Sequence, residues 1–144
     1  TVLDLGAKLT GRGLPNNSAA IEAAFEARRP AACLSRLHAV FMTTNPDLSL
    51  DGIHGGHVYR VEALGPVEMR DNTWYGEVQK AELKLKYRGT STERLIYHYP
   101  DWSDDLLEQC ADGYWSGRPL RSPNWEHLTL CAKVVELIGA LSKA

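Results

Sequence analysis

His57-Val58-Tyr59-Arg60-Val61-Glu62-Ala63-Leu64 reads as a β-strand, and Gly65-Pro66 stops it. Upstream, Ala39-Val40-Phe41-Met42-Thr43 is a β-branched and aromatic run ended by Asn45-Pro46, a second strand, with a loop over 45–56 between the two. Further upstream, Ser18 is placed to cap a helix to about Arg29, with Ile21, Ala24, Phe25 and Arg28 at helical spacing and Pro30 as its stop. Residues 11–17 carry the Gly, Pro and Asn content of a loop. Residues 2–10 alternate loosely, as a short strand or extended segment. Downstream, residues 76–87 fit two descriptions. Leu83, Leu85 and Tyr87 alternate with Glu82, Lys84 and Lys86 at period two, yet the same stretch makes an acceptable charged helix. Ser103 caps a clearer helix over 103–114, with Asp104 and Asp105 in its first turn and Leu106, Leu107, Cys110 and Tyr114 as its apolar side. Residues 117–123 form a loop, and 125–137 read as a closing strand or a strand with a bulge. Separated strands with few helices point to an α+β domain rather than a doubly wound sheet.

The chain of 144 residues has room for one domain, 1–144, and its even composition shows no linker, repeat or low-complexity tract. With 44% hydrophobic and 24% charged residues it is neither disordered nor collagen-like. A net charge of −2 argues against generic duplex binding. No apolar run is long enough to span a membrane, and Thr1 to Leu5 lack the marks of a signal peptide. Cys33, Cys110 and Cys131 are odd in number and widely spaced, so they are expected to be free thiols in a reducing, cytoplasmic setting.

Several groupings have chemical potential beside a plainer reading. Gly11-Arg12-Gly13 could approach a phosphate, but without a strand-GxGxxG-helix context it is more simply a turn. His54 and His57 with Asp51 fall short of a metal site. Asp101, Asp104 and Asp105 around Trp102 are explained by helix capping. Cys33 near His38 lacks an orienting third group. Trp74-Tyr75, Tyr97 to Trp102, Tyr114-Trp115 and Trp125 either pin loops or wall a cleft that stacks on a planar ring. In the second case Arg36, Arg118 and Arg121 are placed to meet phosphates.

Val58-Tyr59-Arg60-Val61-Glu62-Ala63-Leu64-Gly65-Pro66-Val67-Glu68, followed by Asp71-Asn72, resembles the strand-turn segment of the small rifampicin ADP-ribosyltransferases, a Tyr-x-Val-Glu-Pro-x-Gly-Pro-x-Glu stretch leading into an acidic pair. Ala39 to Thr43 is similar to that family's short second strand, Trp125-Glu126-His127-Leu128 with Val134-Val135-Glu136 to its closing strand, and Leu5-Gly6-Ala7-Lys8-Leu9 to its opening. The pieces cover about half the chain in the family's order, and residues 75–123 have no counterpart. The Ser35-Arg36…Ala39-Val40-Phe41 and Tyr114-Trp115-Ser116-Gly117…Trp125-Glu126 pairings also resemble uncharacterised bacteriophage proteins.

The resemblance implies a split, twisted antiparallel β-core with flanking helices, NAD in its cleft, and transfer of ADP-ribose to a protein or small-molecule acceptor. It implies Glu126 and Asp71 as catalytic carboxylates, with Glu126 projecting into the cleft between the half-sheets. Arg36 is then at the pyrophosphate, and Phe41 and Trp125 are walls. The family's first-strand His-Gly-Thr has no match, and Phe41 stands where the family has a Tyr. The enzyme reading expects Arg36, Asp71 and Glu126 to converge on one cleft. The alternative is a non-catalytic interaction or virion protein on the same scaffold, acting in the host cytoplasm or the particle. It expects these residues to be dispersed or paired as surface salt bridges, with aromatics covering a flat partner surface.

Overall fold

In a computed structural model, the structure describes residues 2–11, 18–45 and 56–140. The Arg12–Gly13 part of the glycine loop, and Asp51 and His54 of the histidine grouping, lie outside these. Two three-stranded antiparallel sheets and three α-helices make up the described fold, an α+β arrangement. In chain order the elements are β1 (Lys8–Thr10), α1 (Ala19–Ala27), β2 (Val40–Met42), β3 (His57–Ala63), β4 (Glu68–Asp71), α2 (Thr73–Lys86), a 3₁₀ turn (Ser91–Leu95), α3 (Asp104–Ser116), β5 (Trp125–Thr129) and β6 (Cys131–Ala140). One sheet runs β1-β6-β3 and the other β2-β5-β4.

The caps fall where the sequence puts them. Ser18 Oγ accepts from Ile21 N–H at 3.3 Å, and Ser103 Oγ accepts from Leu106 N–H at 3.1 Å. Each satisfies one of the amides that a helix start leaves without a partner. Gly117, at φ +77°, closes α3 in the left-handed region that favours glycine. Residues 76–86 are helical, the rear of α2, and Tyr87 is its C-cap. Tyr75, Val78 and Ala81 recur at three-residue spacing and are buried, whereas Leu83 and Leu85, which carried the period-two signal, are exposed.

The closing segment is two strands, not one. Trp125–Thr129 is the central strand of one sheet and Cys131–Ala140 the central strand of the other, with the exposed Leu130 between them. A chain that changes sheet needs a bend, and apolar alternation runs unbroken through this one: Leu128, Ala132 and Val134 are all buried. The β3–β6 register slips between Val58 and Tyr59 and between Arg60 and Val61, so Ile138 and Val135 are the extra residues of two bulges. Of the opening, only Lys8–Thr10 is strand, paired with Cys131–Lys133.

The main core lies between the helices. Ile21 and Phe25 of α1, Tyr75 and Val78 of α2, and Cys110, Ala111, Tyr114 and Trp115 of α3 form one buried cluster. Trp115 Nε1–H donates to Phe25 O at 2.7 Å, so the indole is buried with its polar tip satisfied. Helices α2 and α3 approach so closely at Gly113 that a Cβ there would stand 2.6 Å from the Trp74 ring. All three cysteines are free thiols, and burial pushes the Cys110 thiol up to about 11, which holds it in the unreactive protonated form.

Candidate functional site

Strand β5 is the axis of the site. Glu126 lies opposite Arg70, Trp125 opposite Asp71, Leu128 opposite Phe41 and His127 opposite Met42. Side chains alternate along a strand, so Glu126, Leu128, Phe41 and Arg70 share one side of the sheet and Trp125, His127 and Met42 the other. The Glu126 side turns to the helices and to the loop after α1.

Arg36, in that loop, is 3% exposed. Its Nε donates to Glu22 at 3.1 and 3.2 Å and its Nη2 to Glu22 Oε1 at 3.1 Å. Its Nη1 donates to Tyr114 Oη at 2.8 Å and to Glu126 Oε1 at 2.6 Å. Three rings enclose the guanidinium, with centroids at 4.4 Å (Tyr75), 4.9 Å (Phe41) and 5.1 Å (Tyr114). Tyr114 O–H donates to Glu126 Oε1 at 2.5 Å. One cation therefore serves the buried carboxylate of Glu22 and the part-buried one of Glu126. Burial raises the Glu126 carboxyl above the usual carboxylate range; Arg36 opposes this and the charge of Glu22 adds to it. Both bonds made by Glu126 use Oε1. Oε2 has no hydrogen-bond partner among the described residues.

Asp71 is elsewhere in kind, though one register step away. It is 0% exposed, and its Oδ1 accepts from Thr73 N–H (3.0 Å), Thr73 Oγ1 (2.8 Å) and Asn124 N–H (2.9 Å) while Oδ2 accepts from Leu120 N–H (2.7 Å). These donors hold the carboxyl below its ordinary range, against the upward pull of burial. Its work is to start α2 and to pin the 117–124 loop.

A cleft of about 790 Å³ is bordered by residues of both sheets. Val40, Met42, Trp125 and His127 line it from one sheet, and Val58, Tyr59 and Val61 from the other. Phe41 and Glu126, whose side chains turn toward the helices, also border it. His127 Nδ1 is buried there without a hydrogen-bond partner among the described residues.

Of the residues singled out from sequence, Arg36 and Glu126 meet directly, Phe41 lies under Arg36, and Trp125 walls the cleft. Asp71 makes its contacts with the 117–124 loop and Thr73. Arg36 was expected at a pyrophosphate, but each of its three nitrogens is hydrogen-bonded inside the protein and it presents no exposed donor to a ligand. Glu126 was expected to project into the cleft. It borders the cleft, and its Oε1 is held on the helix side of the sheet by Arg36 and Tyr114. Arg118 lies over the Trp74 ring at 5.5 Å, a packing role. Ser103 caps α3 with Asp104 and Asp105 in its first turn, so this acidic grouping has its structural use.

Glu22 escaped sequence reasoning, and Tyr75 and Tyr114 were picked out only as members of the aromatic grouping, not as partners of Arg36. The available signal was weak: Glu22 sits between Ile21 and Phe25 on the buried side of α1, where an unpaired carboxylate is costly. Among the described residues, no group of three or more His, Cys, Asp or Glu is arranged to hold a metal, and no helix is long and apolar enough to cross a membrane. Comparison with protein-family models, with curated proteins and with solved structures finds no match.

Proposed function

We propose that the protein binds NAD in the inter-sheet cleft and acts as an ADP-ribosyltransferase-like enzyme on a protein or small-molecule acceptor. One observation carries the reading: a carboxylate, Glu126, is clamped through one oxygen by Arg36 and Tyr114 on the border of a cleft that has an aromatic wall. Its volume lies within the roughly 300–1,000 Å³ usual for small-molecule sites. Trp125 and Tyr59 offer flat faces to a planar ring. Cleavage of the nicotinamide–ribose bond leaves positive charge on the ribose, and Glu126, which borders the cleft, is the carboxylate we assign to stabilise it. The acceptor oxygen or nitrogen then attacks the ribose carbon and loses its proton, nicotinamide departing neutral. In this reading Arg36 holds the carboxylate rather than the pyrophosphate, and Asp71 is structural.

Two measurements test it. Calorimetric titration with NAD should show micromolar binding, and silence at millimolar NAD removes the reading. If nicotinamide release is detected, Glu126→Gln should lower it more than about tenfold, or roughly 1.4 kcal/mol of barrier; a smaller loss excludes Glu126 as the catalytic carboxylate. The enclosed Arg36 favours a second reading, a non-catalytic interaction or virion protein, because a guanidinium bonded on all sides has a structural use whether or not NAD binds.

A further inference from the structure

Between Ala81 and Cys110 the chain has no fully buried residue. Yet it is rich in large apolar groups: Leu83 and Leu85 are 41% and 45% exposed, and Leu95 and Tyr97 are each 73% exposed. Ordering backbone costs about 1–2 kcal/mol per residue, which burial normally offsets. Here Trp102, Leu106 and Leu107 lean on the helical core, while the end of α2 and the 3₁₀ turn stand out from it.

Charge divides this projection into two halves. Residues 80–99 hold Lys80, Lys84, Lys86, Arg88 and Arg94 against Glu82 and Glu93. Both acids are engaged at home: Glu82 accepts from Ser18 Oγ at 2.6 Å and Glu93 from Gly89 N–H at 2.9 Å. Lys86, Arg88 and Arg94 form no salt bridge among the described residues. Residues 101–108 hold Asp101, Asp104, Asp105 and Glu108 and no base. The two halves adjoin, because Lys84 Nζ lies 2.7 Å from Asp101, whose side chain is nonetheless 83% exposed.

We propose that this face binds a second copy of the same chain across a two-fold axis. A basic half beside an acidic half is self-complementary: a two-fold rotation lays each cationic half on the partner's anionic half, so every charge contact is made twice. Leu95 and Tyr97, each 73% exposed, supply the apolar part, with one of Leu83 and Leu85 beside them, since these two lie on nearly opposite sides of their helix. The aromatic faces are less available to nucleobases: Lys86 Nζ stands 5.4 Å over the Tyr87 ring and Lys80 Nζ 5.8 Å over Tyr99.

The test is sedimentation velocity on the full chain up to about 200 µM, at low and high salt. The expected result is a dimer that weakens by at least about tenfold as the charges are screened. Arg88→Glu with Arg94→Glu should be monomeric, and so should Asp104→Lys with Glu108→Lys. An equimolar mixture of the two should dimerise again, since each restores the charge the other has reversed. Should either reversal fail to fold, judged by its melting curve, Leu95→Ser with Tyr97→Ser removes the apolar contact at two exposed positions and should also give monomer. A wild-type chain that stays monomeric overturns the proposal, as do variants that remain dimeric or a mixture that does not reassociate.

Discussion

Asp71 ends β4 and Glu126 lies one residue inside β5; the first is a buried carboxylate and the second a largely covered one, yet the protein treats them in opposite ways. Asp71 sits among backbone amides and a hydroxyl, all of them donors and none of them charged, and its carboxyl is held low. Glu126 shares one guanidinium with Glu22, and its carboxyl is held high. The difference shows that burial alone does not set a carboxylate's behaviour. At Glu126 burial outweighs the pull of Arg36 and Tyr114, and the charge of Glu22 adds to it, whereas at Asp71 the four donors outweigh burial.

The comparison breaks most completely at Arg36. Arg36→Met should cost about 3–5 kcal/mol, because it leaves Glu22 and Glu126 buried without their cation; urea unfolding measures it. Asp71→Asn comes next, at about 2 kcal/mol or more. Every partner of Asp71 is a donor, so an amide NH₂ must face an N–H or O–H whichever way it is turned. The 117–124 loop should then become the first region to exchange its amide hydrogens.

Proton linkage sharpens the contrast. The Asp71 carboxyl is lowered on folding, so its contribution is present above the unfolded value near 3.9 and is lost as pH falls through the folded value. Glu126 is raised, so its effect has the other sign: folding is favoured while it is protonated, and that advantage is lost as pH rises through its folded value. Asp71→Asn should therefore flatten the acid limb of a stability–pH curve, and Glu126→Gln the limb above it. Tyr114→Phe removes one bond to Arg36 and one to Glu126 and should cost about 1 kcal/mol, with the Glu126 carboxyl moving further up. The smallest change expected is Glu126→Gln, within about 1 kcal/mol in thermal melts. The amide oxygen can take the place of Oε1 and accept from both donors, leaving its NH₂ where Oε2 has no partner. The same acid-to-amide substitution should be costly at one site and mild at the other.

Local chemistry was legible and long-range chemistry was not. Ser18 and Ser103 announce helices because a cap acts within three residues. His57 to Leu64 announces a strand because its stop is adjacent. Leu83 and Leu85 mislead, since alternation at exposed positions carries no information about a core. Leu128-Leu130-Ala132 hides the change of sheet because the alternation survives it, although the adjacent Val134 and Val135 mark a slipped phase that the register shows as a bulge. Arg36 and Glu126 were visible as candidates, but not as partners, being 90 residues apart, and Tyr114 is 78 residues from Arg36. Nothing in a local window reports such distances.

The passage through Leu130 also sets an order of assembly. Both sheets have as their middle strand a segment from the final stretch of the fold, 125–140, and every strand pairing in either sheet includes it. As the ribosome extends the chain, the cluster of α1, α2 and α3 can gather first, while β1 to β4 wait as unpaired edges with nothing between them. Neither sheet can form before its own middle strand is made. Both therefore close late and over long loops, which is the slow route to a native state and the one most exposed to wrong partners.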